Sequence, residues 1–229
     1  MTESATLAIV FDATGTLIQA AEPVGEVYHR IALQHGVDLP AWRIQDAFRR
    51  VLRHAPTRGV EGDGIAGRRA QEIQWWVERI RQTFQATDST ARFDDFPRFA
   101  QALFDAYRAP GAWHVCPGIH GVLQSLRDRV IPLGVISNFD HRLPDILEGL
   151  GIIDFFDFIE IPSTSGRIKP DARLFASAAG RFDRPLSGLT YVGDDPPERL
   201  ARIAAQGVRV VDIRDCGERS LLDRLFSAD

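Results

Sequence analysis

Two cysteines, Cys116 and Cys216, are all that the 229 residues contain, and they lie far apart. Such a pair supports neither a disulfide framework nor a zinc site. Long apolar runs are also missing. No stretch approaches the ~20 residues of a bilayer-spanning helix, and MTESATLAIV lacks the basic start and long apolar segment of a secretion signal. The expectation is a cytoplasmic protein with no membrane partner. Basic charge is not in excess: 27 Lys and Arg against 31 Asp and Glu give a formal net charge of -4. Nothing in that balance calls for nucleic acid as a partner. Internal repeats and low-complexity segments are absent. What remains is an ordinary soluble composition, 45% hydrophobic and 25% charged, with chain enough for one packed domain or a core carrying an inserted module.

LAIVFDATGTLI, residues 7–18, reads as a buried strand ending in a carboxylate and a tight turn. About ninety residues of helical character follow, with no convincing strand. EPVGEVYHRIALQHG places Val24, Val27, Tyr28 and Ile31 at helical spacing, with Gly36 as a stop. LPAWRIQDAFRRVLRH repeats the pattern, the glycine-rich PTRGVEGDGIAG breaks it, and RRAQEIQWWVERIRQTF and FPRFAQALFDAYRA resume it. From Trp113 onward short apolar runs (PLGVISN, FDFIEI, LTYVGD, VRVVDI) alternate with helical segments. That alternation predicts an α/β fold with a doubly wound, Rossmann-like parallel sheet. Residues 1–17 and 113–229 would form this core, and 18–112 an all-helical insertion.

Open α/β sheets bind ligands outside the carboxyl ends of their strands. Asp12 ends the first strand, Ser137 and Asn138 end LGVIS, Asp194 and Asp195 end TYVG, and Lys169 lies in the loop TSGRIKPD. One carboxylate after a strand means little; a hydroxyl, a lysine and further carboxylates at corresponding strand ends mean more. Together they fit phosphoryl transfer through a covalent aspartyl intermediate, which splits one difficult displacement into two easier ones. A carboxylate nucleophile repels phosphate, so cations must flank it. Lys169 can serve on one side, and Mg²⁺ held by Asp12 and Asp194 on the other. Ser137, Asn138 and turn amides can donate to the transferring oxygens, and Gly15 lets the turn close tightly.

DATGTL, ISN, IKPD and VGDD, in that order, resemble the four motifs of the haloacid dehalogenase superfamily, and the insertion after the first resembles its helical cap. PVGEVY, QWW and VISNFDHRL are similar to the subfamily called haloacid dehalogenase-like hydrolase domain-containing 3. The resemblance spans nearly the whole chain. It implies that Asp12 is the nucleophile, that the Thr14 backbone carbonyl joins Asp12 and Asp194 around Mg²⁺, and that Ser137 and Lys169 bind phosphate.

Two departures from that pattern carry consequences. The superfamily's phosphatases usually place a second Asp two residues after the nucleophile, as acid and then base; here Thr14 stands in its place. Loss of positioned acid–base help costs about 10²–10⁴-fold in rate. A further acid is also usual four or five residues after Asp194, where Glu198 and Arg199 stand. Asp195 or Glu198 could complete the metal site, and Arg199 is expected to face solvent unless it opposes the cation.

The leading expectation is a Mg²⁺-dependent phosphatase of a small phosphorylated metabolite, slow in breaking down its intermediate. A 2-haloacid dehalogenase and a non-catalytic binding protein on the same fold are the alternatives. Arg58, Arg68 and Arg69 flank the glycine-rich stretch, either as substrate-selecting groups or on a solvated loop. Trp75 and Trp76 read as packing within the insertion. His114 and His120 are poorly aligned for a shared metal, and His141 and Arg142 either approach the cleft or cap a helix. No apolar stripe demands a partner subunit, which leaves monomer and homodimer open.

Overall fold

The computed structural model describes residues 7–214, 216 and 218–226; the first six residues of the MTESATLAIV stretch lie outside that range. Its strands are β1 (Ala8–Phe11), β2 (Ile18–Ala20), β3 (Trp113–Val115), β4 (Leu133–Ile136), β5 (Phe158–Glu160), β6 (Leu189–Gly193) and β7 (Arg209–Asp212). Five of them form one parallel sheet in the order β5-β4-β1-β6-β7. The three central strands are buried at every residue, while both edge strands are only partly so. A strand covered on both faces needs side chains that all prefer to leave water, which is why AIVF and LTYVG read as unbroken runs rather than alternations.

Sheet order explains where chemistry can sit. The chain steps from β1 to β4 and β5 on one side, then crosses to β6 and β7 on the other. The reversal leaves an open crevice at the carboxyl end of β1. Phe11 pairs with Val135 on β4 and Val192 on β6, so Asp12, one residue further out, and Ser137 and Asp194, two residues further out, follow the ends of three adjacent strands.

By contact density the chain divides into two compact units. One combines the segments up to Gln19 and from Val115; the other is Ala20–His114. In the first, α5 (Ile119–Asp128), α6 (Leu143–Gly149), α7 (Pro162–Ser165), α8 (Ala172–Arg181), α9 (Pro197–Ala204) and α10 (Glu218–Phe226) follow the strands. Leu174, Phe175 and Ala178 of α8 and Leu200 and Ile203 of α9 pack with Ala8, Val10 and Tyr191 of the sheet. Burying each large apolar side chain contributes about 1.5–3 kcal/mol before the entropy of ordering it is subtracted.

The second unit holds α1 (Val24–Gln34), α2 (Ala41–Arg53), α3 (Gly64–Thr87) and α4 (Phe96–Ala106). Val27, Tyr28 and Ile31 form the buried stripe of α1, and Phe84 and Phe99 meet Phe93 in an aromatic cluster at centroid distances of 4.0–5.1 Å. Helix α3 starts at Gly64, inside the stretch read as a break; its glycines cost only about 1 kcal/mol each in a helix, which packing along the remaining helix outweighs. The sequence also hid β2 and β3, which pair as a small sheet. Three residues are too few to establish a period of two, and the chain passes between the units in these strands.

Asp171 caps α8 by accepting from the Arg173 amide at 2.9 Å. Hydrogen bonding from the Arg173 guanidinium, above all, holds its carboxyl down at about 2. The Asp171→Ala variant should therefore lose about 1 kcal/mol of stability at neutral pH. A depressed folded-state pKa stabilises the fold above the ordinary carboxylate value and stops doing so as pH falls through the folded one. Urea unfolding of the two proteins should thus converge between about pH 4 and pH 2; a constant gap would rule out the charged cap.

Candidate active site

Asp12 leaves β1 with its backbone amide bonded to Val192 O at 2.8 Å, which ties its backbone to β6. Its side chain is 12% exposed. Oδ1 accepts from the Ala13 amide at 2.7 Å, and Oδ2 lies 2.8 Å from Lys169 Nζ. The turn then closes on itself: Leu17 and Ile18 donate to Ala13 O, and Gly15 donates to Ile18 O. Gly15 has φ +80°, and a Cβ there would stand 2.1 Å from Asp194 Oδ2. Only glycine accepts both the backbone conformation and the carboxylate pressed against it. Thr14, by contrast, is exposed.

Lys169 is placed by Asn138. The Lys169 amide donates to Asn138 Oδ1 at 2.7 Å, and Asn138 Nδ2 donates to Lys169 O at 3.3 Å. The Asn138 side chain, expected from sequence to bind phosphate, is thus committed to the lysine's own backbone. Nζ uses its three donors on Asp12 Oδ2, Asp195 Oδ2 at 2.9 Å and Tyr191 Oη at 2.5 Å. Tyr191 donates in turn to Asp195 Oδ2 at 2.5 Å, and Arg199 Nη1 donates to Asp195 Oδ1 at 2.7 Å. Burial raises the Asp195 carboxyl, but Lys169, Tyr191 and Arg199 more than reverse it and hold it below its ordinary value. Burial, then the charges of Asp12 and Asp195, push the Tyr191 phenol well up, so it serves as a donor.

Asp194 has the opposite environment. It is half-buried, and burial followed by the Asp12 charge pushes its carboxyl up. Three carboxylates, Asp12, Asp194 and Asp195, therefore face two cations, Lys169 and Arg199, and both cations lie on the Asp195 side.

Ser137 is buried, with its amide bonded to Glu160 O and its Oγ accepting from the Phe139 amide at 3.2 Å. The hydroxyl hydrogen stays available to a ligand. The following loop is braced by Arg142, whose Nε and Nη2 grip Asp140 at 2.8 and 2.6 Å in a buried ion pair. This places Arg142 as a brace.

Other sequence candidates fall elsewhere. Glu198 is exposed in the first turn of α9. Arg199, expected to face solvent, turns to Asp195 while 38% of its side chain is exposed. His120 packs edge-on against Phe155. Arg58 stacks on the Trp75 and Trp76 rings. Cys116 borders a cavity of about 310 Å³ beside Gly15 and Thr16, where burial and then Asp194 push its thiol up to about 11. A thiol protonated at neutral pH is a poor nucleophile, which leaves Asp12 as the nucleophilic candidate at this turn. Neither Tyr191 nor the Arg199 contact was anticipated from sequence. The four-residue step from Asp195 to Arg199 was the available signal, since such pairs meet on a helix. Tyr191 offered none.

The described residues include no group of three or more His, Cys, Asp or Glu side chains able to hold a metal ion. Two carboxylates plus a backbone carbonyl remain a hard-oxygen donor set suited to Mg²⁺, which keeps several waters and needs few protein ligands. Asp12, Asp194 and the Thr14 carbonyl are the groups that would hold such an ion, whereas Asp195 already accepts from Lys169, Tyr191 and Arg199.

Comparison with known proteins adds a family. The model for haloacid dehalogenase-like hydrolases matches residues 6–206. The chain is 34% identical over 186 residues to haloacid dehalogenase-like hydrolase domain-containing protein 3 of Mus musculus, covering 81% of this chain and 73% of that protein. Among solved structures it is similar to an L-2-haloacid dehalogenase (TM-score 0.68, 19% identity, 92% and 87% of the two chains). It is also similar to a HAD phosphatase from Thermococcus onnurineus (TM-score 0.59, 20% identity, 95% of each chain). At such identities the structural likeness speaks for the fold alone.

The network gives a stability prediction. Tyr191→Phe removes one donor to Asp195 and one acceptor for Lys169, both buried, and should cost about 1–3 kcal/mol. Urea unfolding followed by far-UV circular dichroism reads it, and an unchanged midpoint would show that the hydroxyl contributes nothing.

Proposed function

The chain belongs to the haloacid dehalogenase-like hydrolase family, and from that premise we propose that it is a Mg²⁺-dependent phosphatase of small phosphorylated metabolites. The observation that carries this reading is the Asp194 carboxylate set against Gly15, its carboxyl pushed up by burial and then by the Asp12 charge. A second carboxylate beside the nucleophile is a liability unless a divalent cation comes between them and the substrate. For a 2-haloacid, itself an anion displaced without a metal, Asp194 would only add repulsion. That weighs against the dehalogenase alternative, and the organised Lys169 network weighs against a non-catalytic protein.

In the proposed reaction Asp12 Oδ2 forms a bond to phosphorus as the ester P–O bond breaks. Lys169, 2.8 Å from the attacking oxygen, and the Ser137 hydroxyl bind the transferring oxygens and hold them in line. Bound by Asp12, Asp194 and the Thr14 carbonyl, Mg²⁺ would neutralise charge on the phosphoryl group. The departing oxygen takes its proton from water, because the Thr14 hydroxyl is too weak an acid to supply one. In the second step water attacks the aspartyl-phosphate, releasing phosphate and restoring Asp12. That water needs a base, yet Asp195 accepts from three donors and Glu198 is exposed. Breakdown of the intermediate is therefore the slow step.

Rapid mixing with an aryl phosphate, whose leaving group departs unprotonated, should show a burst followed by slow turnover. Thr14→Asp should speed the slow phase by up to about 10²–10⁴-fold, and Asp12→Asn should abolish both phases. Fast linear turnover, with no gain from Thr14→Asp, would mean that another group already acts as base.

Asp194→Asn tests the cation separately. By calorimetry, Mg²⁺ affinity should fall by at least the roughly 10–100-fold that loss of a supporting outer-shell partner costs. Unchanged affinity would remove Asp194 as a ligand.

A further inference from the structure

Helix α3 carries another buried cation, and among the described residues this one makes no ion pair. Glu72, Trp75, Trp76 and Arg79 succeed one another at steps of three, one and three, which puts them on one face of the helix. Arg79 is 5% exposed, and its Nε and Nη1 have no hydrogen-bond partner. Its guanidinium lies over the Trp75 ring, 5.2 Å from the centroid, and Arg58 lies over the same ring at 5.1 Å. Trp76 stands perpendicular to Trp75 at 5.0 Å. The indole Nε1 of Trp75 donates to Pro56 O at 3.0 Å, so the ring is pinned.

A guanidinium is charged at any ordinary pH and cannot escape burial by losing a proton. Stacking on an indole recovers only part of the hydration given up. Such a group is stable where an anion meets its N–H donors, and a planar fork suits a carboxylate. Two fixed indole rings beside the fork offer flat apolar surface for the body of the same ligand.

We propose that the helical unit binds a small planar organic carboxylate through Arg79, with Trp75 and Trp76 as its apolar walls. The ligand is an effector held within the helical unit itself.

Calorimetry on the full chain with benzoate, and with benzamide as its uncharged counterpart, tests the site without any turnover. Benzoate should bind and benzamide should bind far more weakly. Arg79→Met keeps the side-chain bulk and should lower benzoate affinity roughly 10- to 100-fold. The ligand-free variant should melt no lower than the wild type, because an uncompensated charge has been removed. Arg79→Lys keeps a charge but loses the fork, and should fall between the two; it also reads the site if the methionine variant fails to fold. Absent benzoate binding in the wild type, or equal affinity in wild type and Arg79→Lys or Arg79→Met, would overturn the proposal. So would a ligand-free Arg79→Met that folds but melts well below the wild type, since that marks Arg79 as structural.

Discussion

The ammonium of Lys169 is shared between two carboxylates, 2.8 Å from Asp12 and 2.9 Å from Asp195, and most of the site follows from how that sharing is arranged. A buried cation loses several kcal/mol of hydration and is stable only when every donor is met. Tyr191 meets the third donor, Asn138 fixes the lysine's backbone, and Arg199 takes the outer oxygen of Asp195. Gly193 belongs to the same arrangement: a Cβ there would come within 2.8 Å of the Tyr191 ring. The lysine is thus held at Asp12 before any ligand arrives, the kind of preorganisation that electrostatic catalysis uses.

The adjacent aspartates consequently divide their work. Asp195 is drawn into the lysine network and held below its ordinary carboxyl value, while Asp194 lies against Gly15 near Asp12 and is pushed the other way. Burial raises both carboxyls, but Lys169, Tyr191 and Arg199 reverse the shift at Asp195 while the Asp12 charge adds to it at Asp194. This asymmetry, rather than the fold, bears on the reaction. Similar folds occur in both a haloacid dehalogenase and a phosphatase, as expected where function resides in sites placed on a common scaffold.

Buried cations in the two units contrast in the same terms. Lys169 has every donor engaged, and Arg79 has two nitrogens with none. A satisfied charge organises what surrounds it; an unsatisfied one leaves a demand that a ligand can meet.

The sequence by itself determined the strand–helix alternation, the parallel sheet and the helical insertion, because burial on both faces forces continuous apolar runs and burial on one helix face forces a period near 3.6. It also placed Asp12, Ser137 and Asp194 just beyond strand ends and Lys169 in the loop beyond another, since strand ends in a parallel sheet lie along one edge. The short β2 and β3 were illegible because three residues carry no period. Tertiary structure alone decided which partner each side chain chose. Asn138 turned to the Lys169 backbone, Arg199 to Asp195 rather than to solvent, and Tyr191 to the gap between lysine and aspartate. Such choices depend on distances of a few ångströms, between residues four positions apart for Asp195 and its partners Tyr191 and Arg199 and 22 to 31 apart for Lys169 with Tyr191 and Asn138, and a linear pattern fixes which strand end a residue occupies but not which neighbour its polar atoms reach.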